Sequence, residues 1–461
     1  MKAEFVNKLE GIVGKECIVT GREAMEDYLV DETAPVVRPE PAADVVLVKP
    51  STSQEISSLL KLANAEKVPV FPRGGGTGLV GGAIPTENGI ILSLETMDRV
   101  IEVDRENLMV VVEAGVTLGK LIETAEQAGL FFPLHPGEET AQVGGLIACN
   151  AGGARAVKYG VMRNYVRGIE VVLPTGEILS LGGKQLKNVA GYDLMHLLIG
   201  SEGTLGVITK AIIRLYPKFE ETAALIIPYE DHHDAIRTVP RILQEGVIPL
   251  AVEYVEQELM KKSARRLGKK WPVKKGKALL YIITTGRSTE EVYLEAERIG
   301  RIARDCNALD TLVVQSKREQ EDILSIRSNI YLSLKPYTMD ILDVGVPPAS
   351  IAELLDGLDE IAEGYHMYLP VYGHAADGNL HPQILMEKAG GVKEEDLEKV
   401  KEEIYDLTIG LGGTMTAEHG LGAIRIKNLN QCLDEKQIEI MRGIKRVFDP
   451  NNMLNPGKVL P

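Results

Sequence analysis

From residue 40 to about residue 217, short runs rich in β-branched residues alternate with amphipathic stretches. The first pair is a predicted strand at Asp44–Val48 and a helix after Pro50. That helix opens with Thr52-x-x-Glu55, a capping box, and places apolar residues at Ile56, Leu59, Leu60 and Ala63, the spacing of one buried face. Further strands are predicted at Val68–Phe71, Ile90–Leu94, Leu108–Glu113, Ile169–Leu173, Ile178–Leu181 and Val207–Leu215, with Pro-Thr-Gly at 174–176 turning a hairpin.

Beyond Pro217 the helical patterns become longer and more charged. Strand 222–228, helix 230–244, strand 249–254, strand 278–285, helix 288–305 and strand 310–315 follow one another. This β-α-β-β-α-β order predicts a ferredoxin-like layer of helices on an antiparallel sheet. A helix ending around Leu334, a strand into Val346, a helix from Ala349 and strands around 367–374 and 380–385 extend the region to about residue 412. The remainder holds Thr416–Gly422, a helix from about 434 to 447 and Asn455-Pro-Gly-Lys458. Lys393–Glu403 reads as a helix with a solvated, charged face. The expected division is 1–217, 218–412 and 413–461, in an α+β chain.

The 461 residues, 44% hydrophobic and 25% charged, have the make-up of a globular protein with more than one core. The amino terminus lacks the apolar run of a secretory signal, and no stretch approaches a membrane span. Cys17, Cys149, Cys306 and Cys432 are scattered and form no C-x-x-C pair, which argues against a disulfide framework or an iron–sulfur cluster. A cytoplasmic protein with no integral membrane segment is expected, peripheral to a membrane only through a partner. A net charge of −15 argues against nucleic acid. It also means that an anionic cofactor must be held by backbone N–H groups and a few cations.

Pro72-Arg-Gly-Gly-Gly-Thr-Gly-Leu-Val-Gly-Gly82 contains a formal G-x-G-x-x-G at Gly76, Gly78 and Gly81. A dinucleotide fold needs a crossover helix there, yet only seven residues, Pro85 among them, precede the next strand. The better reading is a loop of bare N–H groups wrapped around a pyrophosphate, with Arg73 adding charge; the alternative is a surface turn. A second glycine set runs through Gly137, Gly144-Gly145 and Gly152-Gly153, and a third through Gly200–Gly206. Separated clusters suit a long ligand.

Two histidines fall in Tyr372-Gly-His-Ala-Ala-Asp-Gly-Asn-Leu-His381 and a third in Thr416-Ala-Glu-His-Gly420. The first segment reads as strand, tight turn, strand, a hairpin that can bring His374 and His381 to one side. With Glu418 they would make a two-histidine, one-carboxylate metal site with open positions. Separate histidines bonded to backbone are the alternative reading.

The order PRGGGTGL, PGxxTxxVGG, NAGG with KYG, GSEGTLGVIT and a terminal NPGK resembles the FAD-binding domain of the vanillyl-alcohol oxidase (PCMH-type) superfamily. Within it, the chain resembles the glycolate oxidase large subunit and D-lactate dehydrogenase family, with D-2-hydroxyglutarate dehydrogenase as a relative. The resemblance implies a PCMH-type FAD-binding domain of two α/β subdomains over 1–217, a ferredoxin-like substrate or cap domain over 218–412, and a C-terminal segment, 413–461, completing the metal and FAD sites. It implies that Arg73, Gly74, Gly75, Gly76, Thr77, Gly78 and Leu79 hold the pyrophosphate. Gly137, Thr140, Gly144, Gly145, Asn150, Gly152 and Gly153 would line the cofactor further along. Val207 and Ile208 would contact it through backbone groups, and Asn455 would close the site. Covalent members carry a histidine in the glycine loop; here it has none, so non-covalent FAD is implied. His135 stands where many relatives have an acid.

The family motif H-x-G-D-G-N-x-H with a later E-H implies a divalent metal (Zn, Fe or Mn) on His374, His381 and Glu418. The implied activity is oxidation of a 2-hydroxy acid, with His419 as base, Arg327 on the substrate carboxylate and hydride passing to the flavin. In the hydroxyglutarate relatives a lysine precedes the strand ending in Asp-x-x-x-Pro, whereas here Ile341 and Leu342 precede Asp343; Gln383 also replaces an asparagine. Both departures favour a small monocarboxylate such as D-lactate or glycolate. A separate electron acceptor is implied: an iron–sulfur subunit, an electron-transferring flavoprotein, a quinone or oxygen. The oligomeric state stays open. The competing readings are an electron-transfer subunit with a vestigial substrate site and a metal-free alcohol oxidase of the same fold.

Overall fold

The structure is a computed structural model that describes residues 1–314 and 316–461. Strands Val45–Val48, Gly89–Ser93 and Val70–Arg73 run parallel, with Ile18–Val19 antiparallel at one edge. All five residues of Gly89–Ser93 are buried, as a parallel strand covered on both faces requires. Helix Ser53–Glu66 covers this sheet with the predicted face, and the Thr52–Glu55 capping box is present. No helix lies between Arg73 and Gly89, so these neighbouring parallel strands are joined without the crossover of a dinucleotide fold.

A second, antiparallel sheet has the order Val100–Asp104, Met109–Glu113, Val207–Arg214, Val166–Val172, Ile178–Gly182. Strand Val100–Asp104 was not expected. It is an edge strand with no fully buried residue, so its pattern carries little hydrophobic signal. Helix Leu118–Gln127, capped by Thr117, also escaped the pattern; only Leu118, Leu121 and Ala125 of its ten residues are buried.

The third sheet begins with the ferredoxin-like order, Leu312–Val314, Glu221–Tyr229, Ala278–Gly286, Ala251–Glu256. It then continues through Val371–His374, Asn379–Leu385 and Thr338–Ile341. From Ala223 onward Glu221–Tyr229 is a continuous buried run because both its faces are covered. Leu225, Ile227 and Tyr229 pack on one side with helices His232–Gln244 and Thr289–Asp305; Ala224 and Ile226 pack on the other with Gln257–Leu267 and Lys317–Ser328. Gln257–Leu267 is an unpredicted helix inserted between the second and third strands of the motif, and it roofs the second face.

Other boundaries differ for local reasons. The helix expected to end at Leu334 is two helices, Lys317–Ser328 and Ile330–Leu334, separated by Asn329 in a non-helical conformation. The charged helix is Leu397–Gly410, and its face is not wholly solvated: Lys401 is buried against Asp340 at 2.7 Å. The strand expected at 310–315 is Leu312–Val314; position 315 lies outside the described residues.

Glu256 sits at the seam between the ferredoxin-like strands and their extension. Its carboxylate accepts from Val371 N at 2.8 Å and Tyr368 Oη at 3.2 Å. Burial raises its pKa from 4.5 to about 7, against those hydrogen bonds. The folded protein therefore keeps a proton that the unfolded chain has lost, and stability is full below about 4.5 and declines as pH rises to about 7. Glu256→Gln should remove that decline: urea midpoints at pH 5 and pH 8 should differ in the wild type by more than in the variant.

Candidate active site

The histidine cluster is built by strand register. In the hairpin of Val371–His374 and Asn379–Leu385, Tyr372 faces His381 and His374 faces Asn379. Both histidines thus project from one face, with ring centroids 5.4 Å apart. Glu418 arrives from the C-terminal segment. Its Oε1 lies 3.6 Å from His374 Nε2, 3.5 Å from His381 Nε2 and 3.9 Å from His419 Nε2. The His419 ring stacks on His381 at 5.1 Å with an interplanar angle of 8°.

Two carboxylates that orient this cluster were not found by sequence reasoning. Glu253 lies directly across the ladder from His374. Its Oε1 is 2.6 Å from His374 Nδ1, and its Oε2 pairs with Arg327 in the last turn of helix Lys317–Ser328. Burial would raise the Glu253 pKa, but Arg327 and His374 outweigh it and hold it at about 2. Burial likewise opposes charge on His374, yet Glu253 and Glu418 raise its pKa well above the ordinary value. His381, pushed down to about 3 by burial and then by His419, stays neutral. Glu253 had no legible signal: it is one acid in an apolar strand, paired across more than a hundred residues.

The second carboxylate, Asp343, is fully buried. Its Oδ2 accepts from Thr416 Oγ1 at 2.8 Å and from the backbone N–H groups of Ala417, Glu418 and His419 at 2.9, 2.8 and 2.7 Å. Its Oδ1 accepts from Asn379 Nδ2 at 2.9 Å and stands 3.7 Å from His381 Nδ1. Burial opposes ionisation, but His419, His381 and Arg425 together hold its pKa well below the carboxylate range.

The donor set suits a divalent cation. Two imidazole nitrogens and a carboxylate oxygen converge; the far nitrogen of His374 is hydrogen-bonded to Glu253, the outer arrangement that fixes a ligand's tautomer, while that of His381 lies 3.7 Å from Asp343 without a hydrogen-bond partner. Ligand atoms of Asp343, His381, Glu418 and His419 also lie within 4.8 Å of one another. Arg327 is not free-standing: one side is taken by Glu253, and its buried Nε has no hydrogen-bond partner.

Beside this cluster opens a cleft, part of it open to solvent. Every residue from Arg73 to Leu79 lines it, with Gly144, Gly145, Gly152, Val207, Ile208, Glu418 and His419. The first two glycine sets meet there: a Cβ on Gly74 would lie 3.5 Å from Gly145 Cα, and one on Gly75 would lie 2.7 Å from Thr140 O. A Cβ on Gly152 would strike Glu418 Oε2 at 2.5 Å. Glycine here permits close approach of backbone to backbone and of backbone to the site's carboxylate. The Arg73 guanidinium is tucked beneath the loop, with Nη2 donating to Asp27 O at 2.8 Å and Nη1 buried without a partner.

The remaining expected residues stand behind the wall. Thr140 backs Gly75. Asn150 caps the next turn, accepting from Arg163 N at 3.0 Å. Gly153 packs on the His135 carbonyl, and Gly137 adopts a positive φ beside the lining Pro136. Asn455 donates to Glu202 O at 2.7 Å and to Gly82 O at 3.4 Å, tying the carboxyl terminus to two lining residues. Glu202, another residue missed from sequence, accepts from Leu421 N and Gly422 N at 2.8 Å each.

Comparison with known proteins agrees with this architecture. Residues 45–182 match the FAD binding domain family, and residues 218–459 match the C-terminal domain of FAD linked oxidases. A protein named D-lactate dehydrogenase from Archaeoglobus fulgidus is 45% identical over 433 residues, 94% of this chain and 95% of the relative. The glycolate oxidase subunit GlcD of Bacillus subtilis is 38% identical, over 90% of this chain and 88% of its own. Among solved structures, p-cresol methylhydroxylase superposes with a TM-score of 0.79 at 17% identity, over 99% of this chain and 96% of that one. Alkyldihydroxyacetonephosphate synthase gives 0.76 at 18% identity, over 100% and 86%. The fold is thus the PCMH-type α+β architecture, and the chain belongs to the FAD-linked oxidases.

Proposed function

We propose that the protein oxidises a small 2-hydroxy acid, D-lactate or glycolate, to the 2-oxo acid. The observation that carries the reading is the convergence of His374, His381 and Glu418 at the border of the glycine-lined cleft, with Glu418 and His419 belonging to both. When bound, FAD supplies the hydride acceptor, and a divalent zinc, iron or manganese ion supplies polarisation of the substrate hydroxyl.

Residues 1–217 hold FAD without a covalent bond, through backbone N–H groups of the glycine loop. Residues 218–412 carry the substrate side, and 413–461 complete both sites. His374, His381 and Glu418 hold the cation, with Glu253 and Asp343 fixing their orientation. Arg327 receives the substrate carboxylate with the donor that Glu253 leaves unpaired. His419, stacked on His381 and lining the cleft, takes the hydroxyl proton. Electrons then leave through a separate acceptor, an iron–sulfur subunit, an electron-transferring flavoprotein or a quinone.

Anaerobic mixing of the holoprotein with a panel of D- and L-2-hydroxy acids should bleach the flavin absorbance with D-lactate or glycolate. Bleaching by no member of the panel would refute the reading. His381→Ala should abolish that bleaching and lower the metal content by elemental analysis while FAD stays bound; full metal-independent reduction would instead favour a metal-free alcohol oxidase. Gly75→Ala, whose methyl meets the Thr140 carbonyl, should lose FAD on gel filtration. Gly78→Ala, with nothing within 4 Å of the new Cβ, should leave the thermal midpoint of the FAD-free protein unchanged.

A further inference from the structure

His135 is a histidine that the reading above leaves unused. It follows the short strand Leu130–Phe131 and precedes Pro136, a lining residue of the cofactor cleft. Its carbonyl packs on Gly153, whose neighbour Gly152 lies against the Glu418 carboxylate. One turn of glycine backbone therefore separates His135 from the metal-ligand cluster. The charged groups near enough to act on its ring are Arg155, Glu253, Arg327 and His374, three of which belong to the histidine and carboxylate cluster.

Its Nε2 is buried and has no hydrogen-bond partner. A buried imidazole nitrogen left empty is costly unless a ligand fills it. Arg155 backs the same segment: Nη1 donates to Pro133 O at 3.4 Å, and the guanidinium lies 5.2 Å from the Phe131 ring centre. Burial, and then the charge of Arg155, push the His135 pKa down to about 4, so the ring is neutral at physiological pH and can present an N–H without adding charge.

We propose that His135 is a substrate-binding residue, its Nε2–H donating to the carboxylate of the 2-hydroxy acid opposite Arg327. The two donors come from different parts of the chain, Arg327 from the helical roof of the third sheet and His135 from the segment just before Pro136, which lines the cleft. Together they grip one carboxylate from both sides and set the substrate between the metal ligands and the flavin position. This inference rests on the 2-hydroxy acid reading and adds a specificity residue to it.

The test is anaerobic flavin reduction by D-lactate and glycolate in the holoenzyme, comparing the wild type with His135→Phe, which keeps a ring without the donor, and His135→Gln, which keeps a donor. His135→Phe should raise the half-saturating substrate concentration by about 10- to 100-fold, the worth of one hydrogen bond to a charged partner. The limiting reduction rate should change far less, and His135→Gln should recover most of the lost affinity. FAD and metal content should match the wild type in both variants. Unchanged half-saturation in His135→Phe, a Gln variant no better than Phe, or a loss confined to the limiting rate would each overturn the proposal. If neither substrate reduces the wild type, the 2-hydroxy acid reading falls and takes this inference with it; if the wild type is reduced and Phe is neutral, only the role of His135 falls.

Discussion

The candidate site depends on one buried carboxylate. Asp343 gathers four hydrogens from Thr416 to His419 on a single oxygen, and a fifth from Asn379 on the other. A buried charge is tolerated only when it is paired and saturated with donors. That requirement fixes the backbone of Glu418 and His419 against the hairpin bearing His374 and His381. Arg425, fully buried, adds its charge at 3.8 Å and ties itself to Ile341 O at 2.8 Å. The candidate ligands are thus joined by an electrostatic knot that a simple hydrophobic contact would not hold to the same geometry.

The cofactor cleft is governed by a different constraint, the distance of closest approach. Gly75 against Thr140 and Gly152 against Glu418 leave no room for a Cβ, and Gly74 lies close against Gly145. The chain buys backbone N–H groups at the surface of a cleft by omitting side chains, which suits a protein whose net charge is negative. In the third sheet the same economy takes another form: Glu253 serves His374 and Arg327 at once, one oxygen each.

Much of this was legible because periodicity and glycine spacing are local. The capping box at Thr52, the missing crossover helix after Arg73 and the ferredoxin-like strand order could all be read from neighbouring residues. The pairing of His374 with His381 was legible for the same reason, since a short hairpin admits few registers. Glu253 and Glu202 were not, because each is defined by partners distant in sequence. Lys401 was misread for the opposite reason. Its helix is charge-rich, and only the position of Asp340 shows that this one lysine turns inward. Edge strand Val100–Asp104 and helix Gln257–Leu267 escaped because their polar faces dilute the hydrophobic pattern.

The late position of Glu418 and Asn455 has a consequence for synthesis. A chain emerging from the ribosome can fold its glycine-lined sheets and its histidine hairpin early, since domains form as they are made. Asp343 then waits with Asn379 alone of its five donors, and the cleft lacks the Asn455 tie, until the final stretch emerges. An incomplete chain consequently carries neither the whole candidate ligand set nor the tie between Asn455 and the cleft. A chain ending before Thr416 lacks four of the five hydrogen bonds to Asp343 and the Glu418 carboxylate itself.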